Sequence, residues 1–378
     1  MRTTSPIRLM HFVYSFHMGG LENVVIQLIN RLPPERYQHC LVSLTDMGDF
    51  MDRIQTPGVE RVCLHKPPGH AIPLYPAIYK LFRRYRPHVL HTCNLAALEV
   101  VPLAWLARVP VRIHAEHGWD ASDPKGQNVK YQRLRKLYRP FVSHYVSVSQ
   151  DLDQYLAQRI DVSADRRTLI ANGVDTAQFS PPAHRKPRPE GCPFEPGHHW
   201  LIGTVGRLQT VKNQPLLAHA FVRLLDLCPT AREHARLVIV GEGPLRTEIE
   251  RILSAAGVSH LAWLPGARAD VATVLQSLDC FVLPSQTEGT SCTLQEAMSC
   301  GLPSVATAVG GTPDLLTEEI TGRLVPSDDV DAMAHALMHY MLNPQQARDN
   351  GRAARAQAQR DFGMDAMVAH YDQLFQRC

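Results

Sequence analysis

Twice along this chain, short β-rich apolar runs alternate with segments whose apolar residues return every three or four positions, and that alternation leaves few folds open. IRLMHFV (7–13) leads into Leu21, Val24, Val25, Leu28, Ile29 and Leu32, a spacing that lays one apolar stripe along a helix. HCLVSL, RVCLH, HVLHTC, VRIHAE and HYVSVS continue the series, separated by helical segments near 74–86, 95–108, 127–140 and 149–159. Strand then helix, repeated, calls for a parallel sheet with helices on both faces. Residues 181–199 break the pattern with six prolines and no periodicity, as a linker or boundary loop does. WLIGTVG, ARLVIVG, HLAWLPG, CFVLPS and PSVATAV then restart it, and after Val325 the pattern is helical only. The expected architecture is α/β, with domains over 1–180 and 200–360 and a last helix, 361–378, packing back on the first. Ligands of such domains bind at the C-terminal ends of the strands, so one cleft between the two is expected.

A chain of 378 residues exceeds one ordinary core, and 45% hydrophobic with 20% charged residues suits a folded globular protein. Nine cysteines are scattered without a C-x-x-C pair or a Cys/His cluster at metal-ligand spacing, so neither a disulfide framework nor a metal site is expected, and a reducing, cytoplasmic setting is. No apolar stretch approaches the ~20 residues that span a bilayer, and the first run reads as a buried strand rather than a leader. Charge is uneven: residues 1–180 hold 22 Lys/Arg against 15 Asp/Glu, and residues 181–378 hold 17 against 21. A basic half suits a membrane surface or a phosphorylated substrate, though ordinary variation in solvated charge explains the count equally well. No nucleic-acid partner is expected.

Three loops carry candidate chemistry. SFHMGGLEN puts Gly19 and Gly20 ahead of a helix, where backbone can approach an anion, but this is not G-x-G-x-x-G and a tight turn explains it as well. GTVGRLQTVKNQ sets Arg207 and Lys212 on a strand-to-helix turn, suited to a diphosphate unless both are solvated surface charges. EGTSCTLQE sets Glu288 and Glu296 around Gly289, Thr290, Ser291, Cys292 and Thr293, whose N–H groups would open a helix. Two capping boxes, Ser285 with Glu288 and Thr293 with Glu296, compete for those glutamates, but two helix starts do not fit in eight residues. Carboxylates accept paired hydrogen bonds from vicinal sugar hydroxyls, so the loops together describe a nucleotide-sugar site.

With HAEHGW (114–119), SVSQDL (147–152), ANGVDTAQF (171–179), VGEGPLR and LPSQTEGTSCTLQEAMSCGLPSVATAVGGTPDLL, nearly the whole chain resembles the group 1, family-4-like retaining glycosyltransferases of the GT-B fold. GGLENVVIQLINRLP, HGWD and KYQRLRKLYRPFVSHYVSVSQDL resemble, more narrowly, sugar transferases of bacterial exopolysaccharide and exosortase systems. The resemblance implies two Rossmann-like domains facing each other across a cleft. It also implies Glu288 on the donor sugar, Glu296 on the ribose, residues 290–293 with Arg207 and Lys212 on the diphosphate, and His117 facing the sugar near Gly20. Cations and a helix dipole would replace a metal, and no cofactor is expected. The reaction implied is transfer from a UDP- or GDP-sugar to a saccharide, commonly lipid-linked, with retention through same-face attack. Family members often carry a bulky apolar residue after the Glu-Gly pair where this chain has Thr-Ser-Cys-Thr, so sugar specificity does not carry across.

Glu116 competes with His117 as the cleft-facing group. Lys130, Arg133, Arg135, Lys136 and Arg139 among aromatics suggest peripheral contact of residues 130–141 with the inner face of an anionic membrane, against a plain solvated helix. A nucleotide-sugar epimerase and a non-catalytic binding protein on the same scaffold remain as alternatives.

Overall fold

A computed structural model describes residues 6–17, 19–120, 122, 123 and 125–377, so Met18 of the Gly19–Gly20 turn lies outside the described residues. The chain forms two compact units, residues 1–173 with 364–378, and residues 174–363.

The first unit is built on seven strands: β1 Ile7–Val13, β2 Tyr37–Ser43, β3 Glu60–Cys63, β4 Val89–Cys93, β5 Val111–Glu116, β6 His144–Ser147 and β7 Arg167–Leu169. They pair in the order β3-β2-β1-β4-β5-β6-β7, every pair parallel. Alternation along each strand supplies both faces. Leu9, Val89, Ile113 and Val146 pack under helices Gly20–Arg31 and Met364–Phe375 through Val24, Leu28, Met367 and Tyr371. Met10, Phe12, Leu90 and Tyr145 fill the opposite face with Ile78, Phe82, Ala104 and Leu156. The helix Met364–Phe375 is also held by polar contacts: Arg36 pairs with Asp372 at 2.7 Å and the Tyr37 hydroxyl donates to Asp372 at 2.6 Å.

The second unit repeats the plan with β8 Trp200–Val205, β9 Ala235–Val240, β10 Ala262–Gly266, β11 Cys280–Leu283, β12 Ser304–Thr307 and β13 Arg323–Val325, in the parallel order β10-β9-β8-β11-β12-β13. Ile202, Leu237, Val282, Phe221, Leu337 and Tyr340 share its largest core. The proline-rich stretch 181–199, expected as a linker or a boundary loop, belongs to this unit. Lys186 donates to the Leu278 carbonyl at 2.6 Å and to Asp279 at 2.5 Å, and Cys192 and Phe194 are buried. Its prolines exclude regular structure but not packing.

The strand order of each sheet reverses between two central strands, β1 and β4 in one unit, β8 and β11 in the other. In open parallel sheets, ligand crevices form at the C-terminal ends of such strands. Gly19–Gly20 leaves β1, Arg207–Lys212 leaves β8, and the loop from Pro284 leaves β11. Among the described residues no helix is long and apolar enough to cross a membrane.

Candidate active site

In the second unit the loops after β8 and β11 meet. The Gln286 amide donates to the Val211 carbonyl at 2.9 Å, and Asp328 accepts from both Asn213 (2.8 Å) and Gln286 (3.3 Å). This brings Lys212 Nζ to 2.6 Å from Glu288 Oε1, and the same oxygen accepts from the Ser285 hydroxyl at 2.6 Å. The glutamate is nearly buried while the lysine side chain keeps 27% of its surface exposed, so the pair is dry on one side and open on the other. Arg207, on the same turn, is exposed and forms no ion pair among the described residues. Its carbonyl is fixed by Gln214 at 3.0 Å, while the Leu208 amide donates to Glu242 O at 2.8 Å. Gly243, at φ +152, lies so close that a β-carbon there would overlap the Leu208 carbonyl, which ties VGEGPLR to the turn that carries Arg207.

Neither capping box forms. Ser285 bonds the Glu288 carboxylate rather than a helix start, and the helix Cys292–Ser299 is capped by Ser291, whose hydroxyl accepts from Leu294 N at 3.3 Å. Gly289, Thr290 and Ser291 therefore precede the helix, Cys292 and Thr293 open it, and Glu296 lies half-buried in its second turn. Sequence reasoning missed two supports, Asp328 and Gly310, and read Ser285 only as a helix cap. Gly310 has φ +50 and stands where any β-carbon would overlap the Glu288 carbonyl, and Gly311 N–H donates to that carbonyl at 3.3 Å. The pair of glycines in VGGTPD was the available signal for a close backbone approach.

In the first unit, Gly19 caps the helix Gly20–Arg31 in extended conformation, and His117 follows β5. Asn94, in the left-handed region at φ +59 after β4, accepts the His117 N–H at 2.7 Å and so sets that backbone. Burial lowers His117 to about 4 against the raising field of Glu116, which leaves a neutral imidazole at pH 7. Glu116 does not compete for a ligand. It lies on the opposite face of the sheet, 1% exposed, bound at 2.6 and 3.2 Å by the buried Arg135 and at 3.4 Å by His114. Burial alone would raise its carboxyl, but the Arg135 guanidinium and the His114 contact hold it well below the usual carboxylate range. Arg135 is thus subtracted from the expected basic face. Lys136 pairs with Asp161 at 2.8 Å, and Lys130 and Arg133 remain exposed on the helix Val129–Tyr138.

Two Rossmann-like units, each with its loops gathered at the C-terminal ends of its strands, have the build of the GT-B class, and comparison with known proteins makes this chain a glycosyltransferase. A solved structure of HepE from Anabaena in complex with UDP and glucose matches with a TM-score of 0.83 over 98% of this chain and 100% of that one, at 19% identity. A family model described as Glycosyltransferase Family 4 matches residues 18–178, and one described as Glycosyl transferases group 1 matches residues 200–343. The chain belongs to the group 1, family 4 glycosyltransferases. Among curated relatives, the UDP-Gal:alpha-D-GlcNAc-diphosphoundecaprenol alpha-1,3-galactosyltransferase of Escherichia coli is 26% identical over 89% of this chain and 88% of its own length. The putative glycosyltransferase EpsF of Bacillus subtilis is 24% identical over 85% and 83%.

Proposed function

We propose that this glycosyltransferase moves a sugar from a UDP-linked donor to a saccharide carried on a lipid diphosphate, with retention of configuration and without a metal ion, in the synthesis of an exopolysaccharide or other cell-surface glycan. The observation that carries the reading is the Lys212–Glu288 pair at the meeting of the loops after β8 and β11, beside the Ser291-capped helix start. Lys212 and Arg207 supply charge for the two phosphates, and the amides of residues 289–293 supply a helix N-terminus. Glu288 takes hydroxyls of the donor sugar and Glu296 those of the ribose; Gly19, Gly20 and His117 serve the donor from the first unit. UDP is preferred over GDP because HepE binds UDP and the Escherichia coli relative is named for a UDP-sugar. That relative's name also gives the lipid-diphosphate acceptor.

In the transfer, the C1–O bond to the β-phosphate breaks while a C1–O bond to the acceptor forms on the same face. The acceptor's proton passes to the departing phosphate oxygen, whose charge Lys212 and Arg207 stabilise. Lys130 and Arg133 with the exposed Leu137 and, on the neighbouring helix Val101–Leu106, the exposed Trp105 and Leu106 suit contact with an anionic bilayer.

Thermal stabilisation by UDP-sugars against GDP-sugars tests the donor, since a ligand at ~100 times its dissociation constant adds roughly 2.7 kcal/mol. Stabilisation by GDP-sugars alone overturns the choice of base. Epimer formed from the donor with no acceptor present overturns the transferase reading of the site, and loss of transfer on adding a chelator overturns metal independence.

A further inference from the structure

The first unit holds a constellation that the transfer scheme leaves largely unused. On the sheet face under helices Gly20–Arg31 and Met364–Phe375, β2, β1 and β4 carry His39, His11 and His91 side by side, all buried. His91 Nδ1 is 3.1 Å from His11 Nδ1, and His11 Nε2 is 3.3 Å from His39 Nδ1. If each ring donates toward β2, His91 gives its Nδ1–H to His11 and turns a bare Nε2 lone pair the other way. That way lies the Cys93 sulfur, 3.9 Å from His91 Nε2, and beyond it His117. The ligand atoms of His91, Cys93 and His117 all lie within 4.8 Å of one another. Asn172 stands beside the His117 ring, yet both ring nitrogens are out of solvent and neither makes a hydrogen bond of normal geometry. Buried imidazole nitrogens so loosely held are uncommon and ask for an explanation.

We propose that His91, Cys93 and His117 form a binding site for one borderline-soft metal ion, Zn2+ by chemistry, with His11 as the group that orients His91. Two imidazoles and a thiolate are the donor set this cation takes, at about 2.0–2.1 Å from nitrogen and about 2.3 Å from sulfur. Atoms no more than 4.8 Å apart reach those distances with side-chain shifts of about half an ångström. Three protein ligands leave a fourth position open, the arrangement of zinc sites that exchange a ligand. Burial raises the Cys93 thiol far above its ordinary value, so it is inert by itself; the metal displaces its proton to solvent as the Zn–S bond forms. The relay through His11 fixes the tautomer of His91, as hydrogen bonds behind ligating histidines do.

A metal here occupies His117, which the scheme above places against the donor sugar; this consequence, unlike the site itself, rests on the proposed function. The ion then acts as an inhibitor whose removal restores transfer.

Cobalt(II) titration of the full-length, metal-free protein tests the site. One equivalent of Co2+ should bind with a near-ultraviolet thiolate-to-cobalt absorption that Zn2+ displaces. Cys93→Ser should abolish that absorption while keeping the shape of the core, Cys63→Ser should leave it, and His11→Gln should weaken Co2+ binding on the order of 10–100-fold. No stoichiometric binding, or an absorption unchanged by Cys93→Ser, overturns the site. An absorption that responds as expected while Zn2+ leaves transfer untouched supports the site and overturns the donor role given to His117.

Discussion

Each unit sets an ion pair at the C-terminal edge of its sheet, and the two differ in what surrounds them. Glu116 and Arg135 are both within a few per cent of complete burial, two hydrogen bonds join them, and His114 completes the carboxylate's partners. Glu288 and Lys212 share one hydrogen bond, and the lysine stays partly open to solvent. A fully enclosed pair has no room for a substrate, and its energy goes into holding β5 to the helix Val129–Tyr138. A partly open pair can trade one partner for a ligand, because half-buried Lys212 can turn toward a phosphate while Ser285 still bonds Glu288. Similar sheets thus carry one pair that is closed and one that is partly open, and removal of one partner from each separates what the two do.

Arg135→Ala should give the largest effect. It strands a buried carboxylate, which costs about 3–5 kcal/mol, and the melting temperature should fall by roughly 10 °C. Calorimetry checks it; a fall under about 2 °C would mean that Glu116 is not enclosed as described.

Lys212→Ala should move activity instead. Removing a cation aimed at a developing phosphate charge lowers the transfer rate by ~100-fold or more, while the melting temperature changes by far less than in Arg135→Ala. A normal rate with a collapsed melting temperature would make the second pair structural like the first, and the comparison would fail.

Much of this contrast was readable from the sequence, but unevenly. Long apolar runs bracketed by turn residues betrayed eleven strands, whereas β7 and β13, at three residues each, are too short to show a period. Lys212 and Glu288 announced themselves within recurring motifs. Asp328 and Gly310 did not, because their roles arise from contacts between loops far apart in sequence, and Ser285 stood out only as half of a capping box. Arg135 read as one of five cations on a solvated face, and only the β5 register reveals the carboxylate waiting beneath it. His91 and Cys93 are two apart on one strand and His117 is on the next loop, so no linear spacing of ligands marks them. The terms that sequence reports well are periodic; pairings across strands are not.

Burial lowers His39 to about 4, below its unfolded value near 6.5, so the unfolded chain binds the extra proton first and stability falls as pH drops from 6.5 toward 4. The groups facing it are the His11 ring at 3.3 Å and the Tyr37 ring at 6.1 Å between centroids. His39→Gln, which can still bond His11 but does not titrate, should reduce that slope by about 1.4 kcal/mol per pH unit. Urea unfolding at pH 6 and pH 5 measures it, and equal slopes in the two proteins would show that His39 is not held neutral by burial.

The smallest effect is expected at the helix start beside the open pair. Ser291 is 2% exposed and its hydroxyl accepts the Leu294 N–H, so Ser291→Ala leaves that amide without its cap and should cost about 1 kcal/mol of stability. The same helix end is proposed to hold the donor diphosphate, and fraying it should weaken UDP binding as well. Ser291→Asp separates the two roles. An aspartate caps at least as well as serine, so stability should hold, but its negative charge sits where a diphosphate would lie and should weaken UDP binding further than Ser291→Ala does. Calorimetric titration with UDP reads the difference. If Ser291→Asp binds UDP as tightly as the unaltered protein, the anion is not at this helix, and Lys212 and Arg207 must hold it elsewhere.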